Sequence, residues 1–229
     1  MHATVPSGAA TGAGQVGHRT ETFEWALVAV VVLALTASGI APHDRLTWWM
    51  EVLPVLIALP ILLATHRRFP LTRLVLALIA GHALILILGA AYTYARVPLG
   101  FWLQEVFDLA RNPYDRIGHF VQGFVPALVA RELLIRLQVL RRPRWLFFLV
   151  CCICLAISAT YELIEWLAAV VMGGEAEDFL GTQGDPWDTQ SDMALALLGA
   201  ALAQLGLARW HDRCLRRLPS AGVRAAAGG

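Results

Sequence analysis

The chain has 229 residues, of which 58% are hydrophobic and 15% charged, with a formal net charge of +1. A soluble domain averages about 45–50% apolar and about 25% charged, so this balance excludes an ordinary water-soluble enzyme and points to lipid. The net charge decides little, and the basic residues are distributed as an ordinary topology signal, with no nucleic-acid footprint.

In chain order, residues 1–20 are rich in Gly, Ala, Ser and Thr and are expected to be disordered. Only Arg19 precedes the first apolar run, offset by Glu21 and Glu24, so that run reads as a retained span and not a cleaved leader. A span needs about 20 apolar residues to cross about 30 Å of hydrocarbon. Six segments qualify: about 25–41, 47–64 (with Pro54 and Pro60 expected to kink it), 71–94, 113–134, 145–172 and 186–208. The predicted fold is therefore an all-α polytopic helix bundle of six spans. The expected organisation is a disordered 1–20, a membrane domain over 21–211 and an Arg-rich tail over 212–229.

Every basic residue is arginine; there is no lysine. Counted over alternate connections, thirteen arginines fall on the side of the termini and four on the other: Arg45, Arg96, Arg111 and Arg116. The excess predicts cytoplasmic N- and C-termini, as an even number of spans requires. Cys151, Cys152 and Cys154 sit inside an apolar run and Cys214 in the tail, so all four are expected to be reduced.

Between the third and fourth spans, Leu99, Trp102, Leu103, Val106, Phe107 and Ala110 recur on one helical face. The pattern predicts a short helix, lying in the outer interface or packed over the bundle mouth.

The fourth and sixth spans begin alike, as Asn112-Pro113-Tyr114-Asp115 and Asp185-Pro186-Trp187-Asp188. Capping Asn or Asp, proline at the first helical position and an acid in the first turn account for these starts. Capping does not account for His119 and Asp192, four residues further on and on the same faces. The fifth span adds Glu162 and Glu165, about 15 Å and about 10 Å below its outer end at 1.5 Å per residue. Acids at such depth are costly and signal function when a partner is present. The candidate metal cluster is thus Asp115, His119, Glu162, Glu165, Asp188 and Asp192. Five carboxylates in a low dielectric need protons, arginine (Arg111 or Arg116) or a cation. A divalent metal ion and a proton-sharing or arginine-paired structural network both answer this, and the residue types admit either.

The acidic, glycine-rich connection 173–184 leads into the sixth span and is expected to cover the cluster as a lid, with Gly181, Gln183 and Asp185 its key residues. Arg131 and Glu132 are expected at the cytoplasmic interface. His82 is expected to make a helix–helix hydrogen bond, and Pro126 to bend the fourth span.

The runs Tyr114–Pro126, Tyr161–Trp166 and Leu180–Gln190 resemble the YjdF-like bacterial inner membrane proteins, over roughly residues 25–210. That resemblance implies a multispan protein of the bacterial inner membrane and supplies no reaction. The last three spans are also similar to VanZ-like proteins, which share an Asp-x-x-x-His-Phe start, an acidic pair and a following Asp-led span. Three functions follow as expectations. One is a metal-dependent site acting on a lipid-linked or envelope substrate. The second is a cation-coupled transporter. The third is a non-catalytic protein whose acidic network is structural, with the lipid bilayer as its partner.

Overall fold

The computed structural model describes residues 10–140, 143–173 and 181–218, with side chains from Glu21 onward. All regular structure in these residues is helical. The helices are α1 (Ala10–Ser38), α2 (Arg45–Thr65), α3 (Arg73–Tyr92), a 3-10 turn (Tyr94–Arg96), α4 (Pro98–Val106), α5 (Tyr114–Arg136), α6 (Pro143–Met172) and α7 (Asp188–Leu215). The backbone of α1 reaches back to Ala10, into the segment whose composition predicts disorder. Residues 1–9 and most of the expected tail, 219–229, lie outside the described residues. The expected domain boundary at 211 falls inside α7.

Among the described residues five helices are long and apolar enough to cross a membrane: Glu21–Ser38, Arg45–Thr65, Arg73–Tyr92, Pro143–Met172 and Asp188–Leu215. The expected fourth span, α5, is long enough at 23 residues but is not one of the five. Asp115, Arg116, Arg131, Glu132 and Arg136 interrupt its apolar content.

The two similar helix starts differ from the capping expectation. Proline is not the first helical residue in either: Pro113 is itself the residue before α5, and Pro186 precedes Trp187, the residue before α7. Asn112 Oδ1 accepts the Tyr114 N–H at 3.0 Å and Asp185 Oδ1 accepts the Trp187 N–H at 2.9 Å. A side chain bonding two residues ahead closes an Asx turn, which ends just where the helix begins. Asp115 and Asp188 do occupy first helical turns.

Helix α3 packs on α1 and α2 at one side and on α5 at the other, while α5 also packs on α6 and most extensively on α7. The α5–α7 contact is close because its residues are small. The Cα of Gly123 faces the Ala196 backbone and that of Gly199 the Phe120 carbonyl, leaving no room for a Cβ at either place. Ala196, Ala200 and Ala203 are fully buried along the same seam. Small residues of this kind let helix backbones approach closely in a bilayer. The seam aligns start with start and end with end, so the two helices are parallel. Val75, Leu128, Val150 and Cys154 complete the adjoining core. All four cysteines are free thiols, Cys151 and Cys154 buried as small apolar residues.

Helix α4 covers the amphipathic segment, with Leu99, Trp102 and Val106 exposed, but it ends before Phe107 and Ala110. Asp108, in the left-handed region at φ 49°, turns the chain there. His82 does not make the expected helix–helix bond: its Nε2 is buried without a hydrogen-bond partner among the described residues.

Candidate metal centre

The parallel α5–α7 pair places the first turns of both helices side by side, and α6 brings its midpoint against them. Asp115, His119, Glu162, Asp188 and Asp192 are all buried at this junction. Asp115, His119 and Asp192 each offer one ligand atom, and these atoms lie within 4.8 Å of one another. His119 Nε2 is 3.5 Å from Asp115 Oδ1, and its Nδ1 is 3.7 Å from Glu162 Oε1. Gln122, one turn along α5, sets its Oε1 3.1 Å from His119 Nδ1. An amide oxygen only accepts, so this contact favours the proton on Nδ1 and leaves the Nε2 lone pair facing the acids.

Arg111, on the lead into α5, is the main counter-charge. It donates from Nη1 to Asp188 Oδ1 and, at 3.0 Å, to the Thr182 carbonyl. Its Nη2 stands 3.7 Å from Asp115 Oδ2. Arg116 is engaged by Asp185 at 2.7 Å. One guanidinium and one imidazole thus face four carboxylates: Asp115, Glu162, Asp188 and Asp192. Among the described residues two carboxylate oxygens, Glu162 Oε1 and Asp192 Oδ1, are buried without a hydrogen-bond partner, as are Ser158 Oγ beside Glu162 on α6 and Nε and Nη2 of Arg111. Buried polar atoms are nearly always paired, so this group of unpaired atoms at one junction calls for an explanation. The donor chemistry, carboxylates with one imidazole, suits a divalent metal ion.

The described part of the expected lid, 181–184, passes over this junction; residues 174–180 lie outside the described residues. Gln183 clamps the segment to the start of α5: its Oε1 accepts the Asn112 N–H at 3.1 Å and its Nε2 donates to the Asn112 carbonyl at 3.0 Å. Gly181 has φ 61° and its backbone runs beside the Asp115 carboxylate, a conformation that favours glycine. Asp185 bonds Arg116 and supports the turn into α7.

Glu165 is half-buried and stands outside the converging trio of ligand atoms, but within electrostatic reach of Glu162, Asp115, Glu51 and Asp192. Sequence reasoning missed Glu51 of α2, which is buried and accepts a hydrogen bond from the Tyr161 hydroxyl at 3.2 Å. Tyr161 in turn sets its ring edge-on to His119, 6.3 Å between centroids. The signal was present: Glu51 is a lone acid within an apolar run, the same anomaly that singles out Glu162.

A second buried polar group lies at the opposite end of the α5–α7 seam. Glu132 and Arg131, expected at the cytoplasmic interface, are buried there near the end of α5. Glu132 Oε1 accepts from Thr72 N at 3.0 Å and Arg136 Nη1 at 2.9 Å; Oε2 accepts from Thr72 Oγ1 at 2.8 Å and meets His211 Nε2 at 3.0 Å. Arg131 Nη1 reaches His211 Nδ1 at 2.9 Å, and Arg131 Nη2 donates to Asp212 at 2.7 Å. Arginine only donates, so His211 Nδ1 accepts and the ring proton sits on Nε2, aimed at Glu132.

Comparison with known proteins agrees with the helical, lipid-facing architecture. Residues 23–213 match the family described as "Predicted membrane protein (DUF2238)". The chain is 60% identical over 187 residues to the inner membrane protein YjdF of Escherichia coli (strain K12), covering 82% of this chain and 90% of that one. No solved structure matches it. On the extent of the family match and the identity to that relative, the chain belongs to the DUF2238 family of predicted membrane proteins.

Proposed function

We propose that the protein is a six-span protein of the bacterial inner membrane. Its non-cytoplasmic half holds a divalent cation at Asp115, His119 and Asp192 and uses it to act on a lipid-linked or envelope substrate. Glu162 and Asp188 support the site, and 181–185 covers it. Helix α5, the fourth in order, completes the six spans in this reading: its charged residues cluster at its two ends, where Asp185, Thr72, His211 and Asp212 engage them. Both termini are cytoplasmic by the arginine count. Helix α4 then lies in the outer interface, with exposed Trp102 and Phe101 at headgroup depth.

The observation that carries this reading is the trio of ligand atoms within 4.8 Å of one another, next to two orphaned carboxylate oxygens. Ligands on opposite sides of one ion stand about 4.6–5.2 Å apart at calcium-like distances and about 4.0–4.2 Å apart at magnesium-like ones. A spread within 4.8 Å is thus compatible with ligands sharing one divalent ion, and the imidazole favours manganese over calcium. A purely structural network does not account for orphaned oxygens, since internal glue works by completing its hydrogen bonds.

The test is Mn²⁺ titration of the purified protein, followed by the loss of the free-ion electron paramagnetic resonance signal. One saturable site is expected in the wild type, lost in the His119→Ala/Asp192→Asn double variant and kept in Glu165→Gln. Absence of saturable binding of Mn²⁺, Mg²⁺ and Ca²⁺ to the wild type would sink the proposal.

A further inference from the structure

At the end of the bundle away from the metal centre, α1 and α2 enclose a wedge against α3. Both helices pack on α3, and no comparable packing joins them directly. They are tied near their other ends, where Trp48 Nε1 donates to Ser38 Oγ at 3.0 Å and Arg45 Nη1 to the Gly39 carbonyl at 2.5 Å. Beyond that tie they leave a cavity of about 370 Å³. Its walls are aliphatic, with Val28, Leu59 and Leu62 among them. Its rim carries Glu21 and Glu24 from α1 and Arg67 from the end of α2.

The rim coincides with the ends of two apolar spans, one starting at Glu21 and one finishing at Thr65. It therefore lies at headgroup level when the helices cross a bilayer, and exposed Trp25 beside it fits that depth. Among the described residues Glu21, Glu24 and Arg67 form no ion pair. The wedge thus presents an apolar slot topped by two carboxylates on one wall and a guanidinium on the other.

We infer that this wedge binds one phospholipid whose headgroup is zwitterionic with a primary ammonium. An acyl chain fills the slot, the ammonium lies against Glu21 and Glu24, and the phosphate lies against Arg67. An anionic headgroup lacking the ammonium meets two unpaired carboxylates and is disfavoured. The site is independent of the metal centre, which is built from α5, α6 and α7.

Native mass spectrometry of the full-length protein tests this. The protein is released from nanodiscs containing phosphatidylethanolamine and phosphatidylglycerol with matched chains, in equal amounts. The wild type is expected to retain one lipid, predominantly phosphatidylethanolamine. Glu21→Gln/Glu24→Gln, at surface positions that leave the fold intact, should lower the phosphatidylethanolamine to phosphatidylglycerol ratio by about threefold or more, the size of a partly exposed charge contact. Arg67→Gln should weaken retention of both lipids. Equal retention of the two lipids by the wild type, a ratio indifferent to the double glutamate change, or a dimer in place of the lipid adduct overturns the inference.

Discussion

The α5–α7 seam carries a buried carboxylate cluster at each end, in contrasting surroundings. Around Glu132, two arginines face two acids, the histidine is held between an arginine and a glutamate, and each glutamate oxygen has two partners. Around His119, four carboxylates share Arg111, and the buried oxygens of Glu162 and Asp192 are left without hydrogen bonds. In a low dielectric a completed network rigidifies, whereas an incomplete one is costly and persists where a ligand completes it. The same residue types on the same two helices thus form a completed network, a clamp, at one end and an incompletely paired acidic cluster at the other. Charge balance and hydrogen-bond completion separate them, and neither property is visible in composition.

The comparison breaks most sharply at the clamp. Glu132→Ala leaves Arg136, His211 and Thr72 without their shared acceptor in a buried place. It should cost about 3–5 kcal/mol, read as a fall in Tm of the purified protein. A loss under about 1 kcal/mol, the size of an exposed ion pair, would show that the network is not a clamp.

The metal centre should respond in the opposite sense. With Mn²⁺ at a hundred times its Kd, wild type should gain about 2.7 kcal/mol and Asp192→Asn nothing. Without metal, Asp192→Asn should melt at or above wild type, since it removes one of several repelling charges. If metal-free Asp192→Asn instead melts well below wild type, the two ends are alike and both are structural.

The seam that positions both clusters supplies the third test. Gly123→Ala drives a methyl into the Ala196 backbone and should cost about 1–3 kcal/mol, as overpacking does. It should also weaken Mn²⁺ binding, because Asp192 sits one turn from Ala196. Unchanged Mn²⁺ affinity in a destabilised Gly123→Ala would uncouple the seam from the site.

The smallest effect lies outside both clusters. Asp44 caps α2 through the Thr47 N–H at 2.6 Å, and that bond holds its carboxyl below the usual carboxylate range. Its folded value is depressed, so the stabilisation is present above the ordinary carboxylate pKa and is lost as pH falls through the lowered one. Asp44→Ala should cost about 1 kcal/mol at neutral pH and nothing in strong acid. An equal cost at both pH values would refute the cap.

Much of the helical architecture was legible in the chain because lipid imposes a one-dimensional rule: a segment must be apolar for about 20 residues. Helix α5 shows the limit of that rule. Its charges lower its apolar content, and they are engaged in part by distant partners that no local window contains: Asp185 with Arg116, Thr72 and His211 with Glu132, and Asp212 with Arg131. The site residues were legible in the same way, as polar groups standing where lipid penalises them. His119, Glu162 and Asp192 were found so, and Glu51 was open to the same test.

What the amino-acid sequence determined by itself was therefore most of the set of helices and their polar anomalies, because these follow from local hydropathy and helical spacing. Only the tertiary structure decided which anomalies meet. Gly123 and Gly199 let α5 and α7 close against each other, which joins Asp115 and His119 to Asp192. The packing of α6 sets Glu162 3.7 Å from His119. The parallel run of the seam brings Glu132 to His211, 79 residues away in the chain. Contacts at such separation depend on the angle and rotation of packed helices, and these are set by side-chain fit between helices, not by the pattern along any one of them.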